Sequence, residues 1–94
     1  MRIRAKVDSN QKKIVTALRR CGFSVLHLHQ LGKGAPDILV GAKGRNFLFE
    51  IKDGEKAKSQ QKLTPDEEIF FNEWRGQVNL IKSFDEVNLI LTNG

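Results

Sequence analysis

The sequence predicts one α/β domain with the element order α-β-β-β-α-β-α, and three observations lead there. Apolar residues recur every three or four positions near the N-terminus and in two later segments, as on helices. Between them lie short runs rich in Val, Leu, Ile and Phe, bounded by glycines, as in strands. Two capping signatures, T-P-D-E and S-F-D-E, mark where two later helices begin. Ninety-four residues hold one core and leave no space for a second.

The elements follow in order. In residues 8–21, DSNQKKIVTALRRC, the positions Ile14, Ala17, Leu18 and Cys21 share one side. Asp8 or Ser9 can cap this helix and Gly22 stops it. Cys21, the only cysteine, is expected in the core, and no disulfide can form within the chain. Residues 23–29, FSVLHLH, alternate as a strand, and 30–35, QLGKGA, form a loop. Asp37–Gly41 and Asn46–Lys52 are two strands of a hairpin around the turn AKGR. Residues 53–63 are polar and basic and are expected to be a mobile loop. Thr64, Pro65 and Glu67 open a helix that carries Ile69, Phe70 and Trp74 on one side and ends at Gly76. Gln77–Lys82 is a strand. Ser83 and Glu86 open the last helix, with Phe84, Val87, Ile90 and Leu91 inward.

Sixteen basic residues against 11 acidic ones give a net charge of +5, which favours polyanionic partners. The positive charge gathers in the first 20 residues, including a basic arm at 1–7, and in the stretch 52–62. No apolar run approaches the ~18 residues of a membrane span. The basic start is not followed by an apolar stretch, so no signal peptide is expected and the location expected is cytoplasmic. A lone cysteine suits a reducing compartment.

The hairpin holds the feature that needs explaining. With Lys43 and Gly44 as its two-residue tip, Asp37 lies opposite Glu50, with Cβ atoms ~5 Å apart. Glu50 and Lys52 share a face of their strand, while Phe47, Phe49 and Ile51 point the other way, toward a helix layer. Two facing carboxylates repel, and a divalent cation turns that repulsion into coordination. Hard oxygen ligands suit Mg²⁺, with Mn²⁺ able to substitute. Lys52 is placed to orient or deprotonate a water, or to stabilise a negatively charged transition state. Alone, the triplet E-x-K reads as an ordinary surface ion pair. Its pairing with Pro36-Asp37 is what makes it specific.

The segments Pro36-Asp37 and Glu50-Ile51-Lys52, in this order of elements, resemble the PD-(D/E)xK nuclease superfamily. The longer spelling GKGAPDILVG, GRNFLFEIKDG and KLTPDE is similar to the virus-type replication-repair nuclease domain, VRR-NUC, in its small stand-alone phage and bacterial form. The resemblance spans residues 8–91. It implies a restriction-endonuclease-like αβββαβ core, with a mixed central sheet flanked by helices and a C-terminal helix added. It implies that Asp37 and Glu50 bind the metal with the Ile51 carbonyl, and that Lys52 is the catalytic lysine. The reaction implied is hydrolysis of a phosphodiester by in-line attack of a metal-activated water, leaving 5′-phosphate and 3′-hydroxyl ends. Small relatives act as homodimers on Holliday junctions or other branched DNA, and a two-fold dimer matches a four-way junction.

Related nucleases commonly place a Glu on the first helix, which this chain lacks. Asp8 and Gln11 stand one turn apart there. Asp8 either caps the helix or reaches the metal through water, and Gln11 resembles a family glutamine. Lys33, flanked by glycines, is either a solvated loop lysine or a phosphate contact. Lys56, Lys58, Gln61 and Lys62, with Ser59 and Gln60 between them, are either a soluble loop or a grip on the DNA backbone. Glu67 reads as part of its capping box. His27 and His29, alternating on one strand face, read as structural or surface residues. The six Phe and Trp74 read mainly as core, with a partner surface as the other reading for Trp74.

The function expected is therefore a Mg²⁺-dependent, structure-specific DNA endonuclease acting as a homodimer, without an organic cofactor. The alternative is a nucleic-acid-binding module that keeps the fold without cleaving, to which the missing helical Glu would belong. A sequence-specific restriction enzyme is disfavoured, since the chain is short for a target-reading insertion.

Overall fold

A computed structural model describes residues 8–93. The basic arm at 1–7 lies outside the described residues.

The first helix, α1 (Ser9–Arg20), starts where the Asp8 carboxylate accepts the Gln11 N–H, at 2.9 Å. It ends in a Schellman turn. The Phe23 N–H reaches the Leu18 carbonyl and the Gly22 N–H that of Arg19, with Gly22 at φ +90°. This turn corrects the expectation for Cys21. The chain leaves the helix at Cys21, so Phe23 packs against the core in its place and the thiol is exposed.

Strand β1 (Ser24–His27) is shorter than the alternation suggested, because Leu28 leaves the extended region and a 3₁₀ turn, His29–Leu31, follows. Strands β2 (Ile38–Ala42) and β3 (Arg45–Ile51) form the expected hairpin. Ala42 pairs with Arg45 and Ile38 with Phe49, so the tip is Lys43-Gly44. Both tip residues have positive φ, 54° and 77°, the twist that matches two paired strands.

Residues 53–63 link β3 to the second helix. They contain a 3₁₀ turn, Lys58–Gln60, and the Gln61 amide donates to the carbonyls of Gly54 (3.1 Å) and Lys56 (2.8 Å). Helix α2 (Pro65–Glu73) opens with the full capping box of Thr64 and Glu67. Strand β4 (Asn79–Ile81) and helix α3 (Phe84–Asn93) complete the chain. At the start of α3, Ser83 accepts the Glu86 N–H, while the Glu86 carboxylate takes the Lys82 N–H one residue before the expected partner.

The sheet order is β1-β2-β3-β4, antiparallel except for the parallel pair β3–β4, so the fold is α/β with a mixed four-stranded sheet and three helices. One sheet face carries Ile38, Val40, Phe47, Phe49 and Ile51, buried beneath Ile14, Val15 and Leu18 of α1 and Val87 and Leu91 of α3. Burial of each such large side chain contributes about 1.5–3 kcal/mol.

The other face carries Leu26, Leu39, Leu48 and Glu50, and α2 lies beside it without burying any of its own residues. Trp74 is therefore not core. It is 46% exposed, stacks on Phe70 at 5.1 Å and edges a shallow groove with Leu39 and Leu48.

Candidate functional site

The hairpin register carries Asp37 and Glu50 to the same end of the sheet, one residue beyond the Ile38–Phe49 pair. Asp37 is fixed by its neighbours on both sides. Its N–H donates to the Phe49 carbonyl (3.1 Å) and its own carbonyl accepts from the Leu28 N–H (2.8 Å). Its carboxylate Oδ2 accepts the Ile51 N–H at 2.8 Å, which leaves Oδ1 for other work. The buried ring of Pro36 sets the extended entry to this position.

Glu50 is the unusual residue of the molecule. It is 3% exposed on the sheet face opposite the apolar core, and its Oε1 is buried without a hydrogen-bond partner. Burial, then the charges of Asp37 and Glu67, push its carboxyl from 4.5 up to about 9. The Lys52 ammonium, 3.5 Å from Oε2, is too weak an offset. Burial also raises Asp37, with the Ile51 N–H opposing it.

Lys52 is held through its backbone by two other elements. Its N–H donates to the Ile81 carbonyl of β4 (3.0 Å), and its carbonyl accepts from the Asn10 amide of α1 (2.8 Å). The same Asn10 amide donates to Lys82 O at 3.2 Å, so α1 clamps the ends of β3 and β4 together. The ammonium meets Glu67 at 2.8 Å as well as Glu50. Burial works to lower the lysine, but the two carboxylates outweigh it and the net shift is upward. At neutral pH this side chain is a cation and a donor, not a base. Glu67 shifts down: burial opposes this, and Lys52 and the Thr64 N–H prevail.

These groups line one polar cavity of ≈ 260 Å³ with Asp8, Gln11, His29, Ile51, Asp53, Lys56 and Gln60. Both first-helix candidates are thus brought to the site. Asp8 does cap the helix, and Gln11 is 4% exposed with its amide 3.1 Å from His27 Nδ1. Of the candidate DNA contacts, Lys56 joins the cavity wall. Lys33, Lys58 and Lys62 are exposed and stand outside it, and Gln61 spends its amide on the shape of its own loop. Burial, then Arg19 and His29, lower the His27 imidazole, with Asp37 opposing.

Three residues have places at the site that sequence reasoning does not assign to them. His29 reaches the cavity because β1 ends before it; its Nδ1 is buried and unpartnered, and its ring meets His27 edge-on at 5.7 Å. Asn10 acts through the backbone of Lys52, and nothing in its local spelling marks it. Glu67 was visible only as a helix cap, and its second contact depends on where α2 lies.

Whether these residues suit a divalent cation turns on the donors present. Two carboxylates in mutual repulsion, one of them with a buried orphan oxygen, supply the hard oxygen donors that Mg²⁺ or Mn²⁺ takes. Among the described residues no three side chains of His, Cys, Asp and Glu gather into a metal-binding group. Among those residues, too, no helix is long and apolar enough to cross a membrane. No protein-family model, curated protein or solved structure matches the chain.

Proposed function

We propose that this chain is a Mg²⁺-dependent, structure-specific DNA endonuclease of the VRR-NUC type, built on a restriction-endonuclease-like core and acting as a homodimer on Holliday junctions or other branched DNA. The observation that carries the reading is the orphaned Oε1 of Glu50, buried across from Asp37 with Lys52 beside it. An acid placed this way weakens the fold unless a cation uses it. The net charge of +5 and the placement of Lys56 on the cavity wall suit a polyanionic substrate.

Asp37, Glu50 and the Ile51 carbonyl would hold the cation. When bound, it would supply charge neutralisation at the phosphoryl group and acidify a water at neutral pH. The Lys52 ammonium donates to the negative charge that develops on the phosphoryl oxygens, from a site shielded enough to make that contact strong. The hydrogen bond from Ile51 N–H fixes the Asp37 carboxylate, and Asn10 fixes the Lys52 backbone, so the reacting geometry is set before substrate arrives. Asp8 and Gln11 bring to the wall what α1 offers in place of an acid deep in the site.

A non-cleaving DNA-binding module is the second reading, favoured by the lack of a glutamate on α1. A thermal melt across a Mn²⁺ titration separates the two. The nuclease reading expects stabilisation of about 2.7 kcal/mol at a hundredfold excess over Kd, absent in Glu50→Ala. Equal melts for the two proteins at every Mn²⁺ concentration would count for the module.

A further inference from the structure

The Lys52 ammonium is closer to Glu67, at 2.8 Å, than to Glu50, at 3.5 Å. We propose that Glu67 is a positioning residue: it draws Lys52 away from Glu50 and holds it at the wall of the cavity, leaving the Glu50 carboxylate open to a cation. The significance of that lysine rests on the nuclease reading above; the positioning itself rests on geometry.

Glu67 is unusually well fixed for a glutamate on a short helix. Its Oε1 accepts from the Thr64 N–H at 2.9 Å as well as from Lys52, while its own N–H donates to the Thr64 hydroxyl at 3.2 Å. The Thr64 backbone N–H, which Thr64→Ala keeps, aims one carboxylate oxygen, with little rotamer freedom left, at the lysine; the Thr64 hydroxyl only caps the Glu67 N–H. The two side chains are only 13% and 16% exposed, so their attraction is less screened than that of a surface pair.

The depth at which α2 sits is set from the other side by the glycine-rich loop. A Cβ on Gly34 would lie 2.3 Å from the Asp66 carbonyl oxygen, so only glycine lets the first turn of α2 come this close. Since α2 has no fully buried residue, these contacts of its first turn help to place it, with the half-buried Phe70 and Phe71.

Without Glu67 the lysine has one carboxylate left within reach, that of Glu50. The ammonium would then close on the buried acid and compete with the cation for it. The sequence position of Glu67, fifteen residues beyond Lys52 on a different element, means that the lysine is set by α2 and not by its own strand.

Three variants test this: Glu67→Ala, Glu67→Gln and Thr64→Ala. The first readout needs no metal and no DNA. It is the ¹⁵N signal of the Lys52 ammonium, recorded in EDTA and assigned by its loss in Lys52→Ala. A held ammonium exchanges slowly enough to be seen. The signal is expected at one position in wild type and Thr64→Ala, shifted in Glu67→Gln, and present but displaced further in Glu67→Ala, where Glu50 becomes the ammonium's partner. The second readout is Mn²⁺ affinity by calorimetry, expected to fall about 10-fold or more in Glu67→Ala. The third is cleavage, where kcat is expected to fall about 100-fold in Glu67→Ala with KM little changed. Thr64→Ala lowers the melting temperature but leaves Mn²⁺ affinity and kcat as in wild type.

A wild-type-like Lys52 signal in Glu67→Ala would overturn the proposal. So would losses in Thr64→Ala equal to those in Glu67→Ala, since Glu67 would then be a cap and nothing more. A protein that never cuts DNA but whose Lys52 signal is displaced in Glu67→Ala contradicts the nuclease reading and keeps the positioning. A nuclease in which Glu67→Ala changes neither signal nor rate contradicts the positioning alone.

Discussion

Replacing Glu50 by Gln removes an ionisable group while keeping the size and shape of the side chain, so it isolates what that charge costs. The folded-state value of about 9, against 4.5 for a free glutamate, means that the folded chain keeps a proton the unfolded chain releases. Stability therefore falls as pH rises from 4.5 toward 9, and the fall ends once both states are ionised. Inside that window the slope is about 1.4 kcal/mol per pH unit for one proton. Between pH 6 and pH 8 the metal-free wild type loses about 3 kcal/mol through Glu50 alone. Other groups titrate in the same range, notably His27, whose lowered value acts with the opposite sign below its ordinary range. Glu50 is not among the groups that shift His27, so the His27 contribution is shared by both proteins and cancels in the difference.

The assay is urea denaturation in EDTA at pH 6 and pH 8, followed by the fluorescence of Trp74, the only tryptophan. The gap between Glu50→Gln and wild type is expected to widen by about 3 kcal/mol in favour of the variant as pH rises. Added Mg²⁺ should then stabilise wild type at pH 8 and leave the variant where it was. Parallel pH profiles for the two proteins would refute the reasoning, because Glu50 would then be ionised at no cost and would need no cation.

Two further outcomes follow from the same geometry. Gly34→Ala places a methyl group against the Asp66 carbonyl at a backbone φ of +78°, and is expected to cost about 1–3 kcal/mol in urea denaturation as α2 is pushed outward. Lys56→Ala, on the cavity wall, is expected to weaken branched-DNA binding and to reduce the salt dependence by about one phosphate contact, with the comparison Lys58→Ala, outside the cavity, showing the smaller effect in the same fluorescence-anisotropy titration.

Much of this arrangement was legible because local chemistry decides it. A Lys-Gly tip and the alternation of Phe47, Phe49 and Ile51 fix the hairpin register, and the register alone sets Asp37 across from Glu50. The T-P-D-E and S-F-D-E boxes mark two helix starts through hydrogen bonds that span three residues.

What was not legible depends on contacts distant in sequence. His29 follows the alternation of β1, and only the backbone break at Leu28 turns it into the site. Cys21 keeps helical spacing with Leu18, but the Schellman turn gives its place to Phe23. Trp74 lies on the apolar side of a helix whose neighbouring sheet face offers it only a shallow groove. The role of Asn10, 42 residues from Lys52, has no trace in either segment.

The central claim is that Asp37, Glu50 and Lys52 form a cation-dependent phosphodiesterase site. It is tested most directly by incubating labelled four-way junction, flap, single-stranded and duplex DNA with Mg²⁺, Mn²⁺ or EDTA, wild type beside Lys52→Ala. Wild type is expected to cut with either metal, most strongly on a branched substrate, and not in EDTA, with a loss of at least about 100-fold in Lys52→Ala. Cutting that persists at full rate in Lys52→Ala, or branched DNA bound by wild type and left intact under every metal, would contradict it.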